Sequence, residues 1–211
     1  MHFFELCKII DIIIAISIYF VYCVPKWIAS TYALFLKTCL YIYGFFVLYF
    51  TCIIPIIIPI PFFNINISYI HVNLVPFIDY INSNGDFIKQ IILNVLMLVP
   101  FGIMFPFIYK KNLKNTVLAG LLVSMSIELV QLFSVRQFSS CDITDVITNV
   151  IGTCVGYAIF KCFNKPVEKI IKNFFSNKQF KKYNVSKGWK KALTGLILIQ
   201  LIIRSILVAF I

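Results

Sequence analysis

Six polar side chains interrupt stretches that are otherwise apolar enough to lie in lipid: Asn94, Glu128, Gln131, Asp142, Asp145 and Asn149. Hydrocarbon offers no hydrogen-bond partner, so each must meet another polar group or water, and ionisable groups at such depth are functional candidates by default. Carboxylates and amides suit two kinds of chemistry. They can hold a cationic or hydroxyl-rich head group, or Glu128 with Asp142 and Asp145 can serve as acid and base on a bound substrate. A divalent cation is a further occupant for the three carboxylates, but no His or Cys ligand pattern accompanies them, and His2 and His71 stand alone. No nucleophile elbow, metal signature or phosphate loop is present, so no catalytic residue, metal or cofactor is assigned.

The rest of the chain states the solvent. Of 211 residues, 61% are hydrophobic, 17% aromatic and only 13% charged, against an apolar fraction of about half in soluble domains. Mean hydropathy is +0.94. The expected fold is all-α, a polytopic membrane helical bundle. The net charge of +11 is carried by lysines in short stretches between apolar runs, where positive charge sets topology rather than binding nucleic acid. Seven cysteines form no C-x-x-C pair and read as small packing residues.

About six transmembrane helices can be traced, each near the roughly 20 residues a bilayer core requires. They run from about Ile9 to Val24, an uncleaved first span; Thr38 to Ile60, broken toward its end by Pro55, Pro59 and Pro61; Phe87 to Tyr109, with Pro100 and Pro106; Thr116 to Phe133; Ile143 to Phe163; and Ala192 to Ile211. From Asn164 to Tyr183, Val167, Ile170, Ile171, Phe174 and Phe175 follow helical spacing with lysines opposite and Pro166 at the start, which predicts one cytoplasmic interfacial amphipathic helix. The resulting units are 1–70, N-terminal transmembrane helices; 71–160, a core of three transmembrane helices and extracytoplasmic loops; 161–191, a Lys-rich cytoplasmic amphipathic segment; and 192–211, a C-terminal transmembrane helix.

Charge orients the bundle. Lys26, Lys37, Lys110, Lys111, Lys114 and ten lysines from Lys161 to Lys191 follow the odd-numbered runs and belong on the cytoplasmic side. Asn94, Glu128 and Asn149 then fall at one depth, about 8–11 Å inside the outer boundary at about 1.5 Å per residue. Asp142, Asp145, Asn149, Gly152 and Gly156 recur at helical spacing and share a face, as do Ser124, Glu128 and Gln131. Gly152 and Gly156 would admit another helix closely. These faces predict a polar cavity in the outer leaflet, walled by the third, fourth and fifth spans, with Arg136 nearby. Arg204, inside the last span, either pairs with that cavity or snorkels to the interface.

Asn73-Leu-Val-Pro-Phe77; Asn94 followed by Val99-Pro-Phe-Gly102 and Pro106; Ser126-Ile-Glu128 with Gln131; and Asp142-Ile-Thr-Asp145-Val-Ile-Thr-Asn149-Val-Ile-Gly152 with Gly156 resemble, in order and spacing, the VanZ-like bacterial membrane proteins. The resemblance covers about Asn73 to Tyr157. It implies a multi-pass protein of the bacterial cell membrane, in a family named for a member associated with low-level teicoplanin resistance, while the lysine bias makes the functional face extracytoplasmic. The ligand-binding set expected on both grounds is Asn73, Asn94, Glu128, Gln131, Arg136, Asp142, Asp145 and Asn149.

Two function classes follow. One is a binding protein for glycopeptide resistance or cell-envelope maintenance, taking membrane lipid, a lipid-linked cell-wall precursor or a lipoglycopeptide, with no nucleic-acid partner. The other is an intramembrane enzyme acting on a lipid-linked substrate, with Glu128 and Asp142/Asp145 as acid and base.

Overall fold

The computed structural model describes residues 2–28, 30–51, 71–81, 86–132, 140–175 and 184–208. The fold is all-α. The first helix, α1 (His2–Ile18), passes through a π-helical stretch (Tyr19–Cys23) into α2 (Val24–Trp27). Pro25 opens α2 and has no N–H to return to the preceding turn, which accounts for the widened stretch before it. Helix α3 (Thr31–Thr51) follows. It starts a full two turns before the expected second span, and the prolines expected to break that span lie outside the described residues.

Helix α5 (Phe87–Tyr109) has the expected bounds and carries Pro100 and Pro106 in its interior, ending on Lys110 in the left-handed conformation. The next helix, α6 (Leu113–Leu132), begins where the Asn112 side chain accepts the Asn115 N–H at 3.0 Å. Helix α7 (Ile143–Phe174) has 32 residues, about 48 Å at 1.5 Å each. Here the structure differs from expectation. Pro166 does not open a separate amphipathic helix but lies inside α7, because its fixed φ is helical and the carbonyl it releases falls where Cys162 and Phe163 are exposed at the helix surface. The final helix, α8 (Lys187–Val208), starts five residues earlier than expected.

Among the described residues, four helical stretches are long and apolar enough to cross a bilayer: Ile9–Trp27, Thr31–Thr51, Phe87–Tyr109 and Ile143–Phe174. The surface agrees with a membrane protein. In α6, Thr116, Ser124 and Glu128 are buried while Leu118, Leu122, Met125 and Leu129 are more than half exposed. That inversion suits lipid and would be costly in water.

Packing centres on α5 against α7, with α6 laid across both. A Cβ at Gly152 or Gly156 would collide with the Val95 or Val99 carbonyl of α5, and one at Gly102 with the Thr153 carbonyl of α7. The absent side chains let the two backbones touch. Two short strands complete the end of the bundle at which α7 begins: β1 (His71–Asn73) pairs in parallel with β2 (Ser140–Asp142), placing Asn73 opposite Asp142. A one-turn helix, α4 (Ile78–Ile81), follows β1 after Phe77, whose φ is 58°.

Candidate functional site

Asp142 is the hub. As the N-cap of α7 its Oδ1 accepts the Thr144 N–H at 2.7 Å, satisfying a donor the helix leaves unpaired. Its Oδ2 accepts from Asn73 Nδ2 at 2.9 Å, and its own N–H donates to Glu128 Oε2 at 3.0 Å. One residue therefore joins β1, α6 and α7. The Phe77 N–H adds a second tie, donating to Thr144 Oγ1 at 2.9 Å.

One turn deeper, Asn94 Nδ2 donates to Asp145 Oδ1 at 2.6 Å, linking α5 to α7. A further turn down, Asn149 Nδ2 donates to Ser124 Oγ at 2.9 Å, linking α7 to α6. Glu128 and Asn149 are 2% and 1% exposed. Burial without partners would cost roughly 1–3 kcal/mol per group, so the pairing itself holds the three helices in register. Among the described residues the Asn149 Oδ1 has no partner.

The eight expected binding residues do not all converge. Asn73, Asn94, Glu128, Asp142, Asp145 and Asn149 form one polar seam along α5, α6 and α7. Gln131 turns the other way, donating from Nε2 to the Thr51 carbonyl at 3.1 Å and so tying α6 to the end of α3. Arg136 lies outside the described residues, as does the Arg204 side chain.

Open space near the seam differs from the expected polar cavity walled by three helices. A cleft of about 20 Å³, enough for one water-sized group, is lined by Phe77, Phe87, Gln90, Ile91, Asp142, Thr144 and Asp145. Glu128 and Asn149 do not line it; their polar atoms face the packed helix interfaces. Phe77 and Thr144 fall within the motifs quoted above without being singled out, and Phe87 and Gln90 escaped because neither an isolated Phe nor a Gln at a helix start carries a spacing signal. The Cys141 thiol, on β2 beside the cleft, is pushed up by burial and then by the charges of Glu128, Asp142 and Asp145. All three carboxylates thus act on one point.

A second space opens in the apolar body. It measures about 520 Å³ and is lined by residues of α3, α5 and α6, among them Tyr43, Val47, Leu98, Phe101, Ser126 and Ile127. Both spaces share helices. Ile91 lines the cleft and Leu98 the groove, two turns or about 10 Å apart on one face of α5. Ile127 lines the groove while its neighbour Glu128 holds Asp142.

A family model described as VanZ/LLP1 matches residues 40–164. The chain belongs to the VanZ/LLP1 family. It is similar to Protein VanZ of Enterococcus faecium, with 32% identity over 98 residues, covering 46% of this chain and 56% of that protein. The chain thus spans little more than half the length of the curated relative it matches. No solved structure matches it. The VanZ/LLP1 match is wider than the motif region read from sequence. It starts at residue 40 and takes in more than half of α3, whose Thr51 carbonyl accepts from Gln131 of α6 and whose Tyr43 lines the groove.

Proposed function

We propose that this VanZ/LLP1 protein binds an amphiphile at the outer face of the membrane, with one polar group of its head at the Phe77–Phe87–Asp142–Asp145 cleft and the hydrocarbon tail in the α3–α5–α6 groove. The observation that carries this reading is the placement of a small polar cleft and a large apolar groove about 10 Å apart along α5. Such a pair matches a lipid-anchored cell-wall component or a lipoglycopeptide, and the role is in glycopeptide resistance of the teicoplanin type or in maintenance of the envelope.

In this reading α6 and α8 join the four apolar helical stretches as spans, giving about six. The lysine-rich end faces the cytoplasm, and the cleft faces out. Glu128 and Asn149 act by positioning Asp142 and α7, while Asp145, Gln90 and the two phenylalanine rings meet the ligand.

The test is a labelled lipid-linked cell-wall precursor presented to purified protein, alongside teicoplanin susceptibility of cells expressing it. Saturable binding without turnover, lost in Gln90→Ala and Asp145→Asn together with protection, supports the proposal. Conversion of the precursor would move the account to the intramembrane enzyme with Glu128 and Asp142/Asp145 as acid and base. Protection that survives both substitutions would remove the cleft from it.

A further inference from the structure

At the other end of the bundle the sequence is nearly free of acid. From residue 146 onward the only carboxylate side chain is Glu168. Its Oε1 receives Lys110 Nζ at 3.1 Å and Lys172 Nζ at 3.0 Å, which pins the end of α5 to the last turns of α7. A stack of Phe35 on Phe175, with centroids 4.2 Å apart, fastens the same turns to α3.

The rest of the α7 circumference is exposed and divides by chemistry. Lys161, Lys165, Lys169 and Lys172 fall within an arc of about 80° at 100° per residue. Phe163, Val167, Ile170 and Phe174 occupy the opposite side, and Phe174 is 84% exposed. Among the described residues, Lys161, Lys165 and Lys169 have no ion pair. Lys111 and Lys114 at the turn between α5 and α6 are exposed as well, and α8 opens with Lys187, an exposed Trp189 and Lys191. Three helix ends and the side of a fourth therefore present exposed lysine and aromatic residues.

Exposed lysine on one side and exposed aromatic and aliphatic groups on the other is the chemistry of a membrane interface, where apolar groups enter the acyl region and ammonium groups reach phosphate oxygens. We infer that the lysine arc of α7, together with Lys111, Lys114 and Lys191, is a docking surface for the anionic phospholipid head groups of the leaflet that surrounds it. The occupant is chosen by charge complementarity, since the surface has lysine in excess over a single, already paired glutamate. A zwitterionic lipid has no net charge to match it.

Native mass spectrometry of the purified full chain counts lipids retained from equal mixtures of phosphatidylglycerol and phosphatidylcholine. The expected result is retention of phosphatidylglycerol about fivefold over phosphatidylcholine at low salt, falling toward parity when high salt shortens the Debye length to about 3 Å. The triple variant Lys161→Gln/Lys165→Gln/Lys169→Gln should lose most of that preference with an unchanged melting temperature, whereas Lys89→Gln at the opposite end should keep it. Equal retention of the two lipids, full preference in the triple variant, or loss of preference in Lys89→Gln would overturn the assignment. So would capture of an acidic peptide at the lipid's expense.

Discussion

Glu128 of α6 and Asp142 at the head of α7 are joined by a hydrogen bond from the Asp142 backbone N–H to Glu128 Oε2, 3.0 Å long. A carboxylate deep in an apolar helix therefore fixes the backbone from which the Asp142 side chain caps α7 and holds Asn73. Loss of this acceptor would leave a partly buried N–H unpaired.

Glu128→Ala should cost about 1–3 kcal/mol, the price of an orphaned buried donor. At about 2–4 °C per kcal/mol for a chain of this size, the melting temperature in detergent should fall by several degrees. Glu128→Gln keeps a carbonyl acceptor of the same shape and should stay nearer the wild type. Equal melting temperatures for Ala and Gln would remove this bond from the account.

The α5–α7 contact makes a second prediction. Gly156→Ala sets a methyl group against the Val99 carbonyl and the Gly102 backbone, neither of which can yield cheaply, so it should destabilise by about 1–3 kcal/mol. Gly44 has no neighbour within 4 Å of an added Cβ. Gly44→Ala should therefore be neutral or slightly stabilising, through the helix propensity of alanine. Thermal unfolding of the two variants side by side gives the answer.

Cys141 reports the charge at the cleft. Its thiol is held above the usual range first by burial and then by Glu128, Asp142 and Asp145, so at a given pH the folded protein carries less thiolate than the unfolded chain. Alkylation at neutral pH should be slow in the folded state, faster after denaturation, and should accelerate as pH rises through the elevated range. Asp142→Asn removes one of the repelling charges and should speed the reaction in the folded protein. A rate indifferent to Asp142→Asn would remove the Asp142 charge from this account of the thiol. Reaction of Cys141 with an impermeant reagent added outside intact cells tests the proposed orientation in the same experiment.

Filling the groove separates tail from head. Val123→Trp adds volume beside Val47 and Ile127 and should weaken binding of a long-chain amphiphile at least tenfold while a short-chain analogue binds as before. Unchanged long-chain affinity would place the tail elsewhere.

Much of the bundle was legible because α6 and α7 obey a simple rule: their polar residues recur at three- and four-residue spacing. The capping of α7 by Asp142 emerged only with the structure. Counting residues put Asn94, Glu128 and Asn149 at one depth; the structure instead strings them along successive turns of one seam, Glu128 at Asp142, Asn94 at Asp145 and Asn149 at Ser124. What escaped was decided by tertiary contact. The β1–β2 pairing joins segments nearly 70 residues apart and only three residues long, which no local pattern announces. Gln131 shares a helical face with Ser124 and Glu128, yet the end of α3 draws it away to the Thr51 carbonyl. Pro166 looked like a boundary because proline usually is one; continuity of α7 became possible where the freed carbonyl is not buried.

The central claim is that one amphiphile spans the cleft and the groove along α5. A lipid-linked cell-wall precursor with a photoreactive group in its tail, cross-linked to the purified protein and mapped by peptide sequencing, tests it most directly. The account predicts adducts concentrated on groove residues such as Val47, Leu98, Phe101 and Ile127, and their loss in the cleft variant Gln90→Ala. Adducts spread evenly over exposed lipid-facing residues such as Leu118, Leu122 and Leu129, and indifferent to Gln90→Ala, would contradict it.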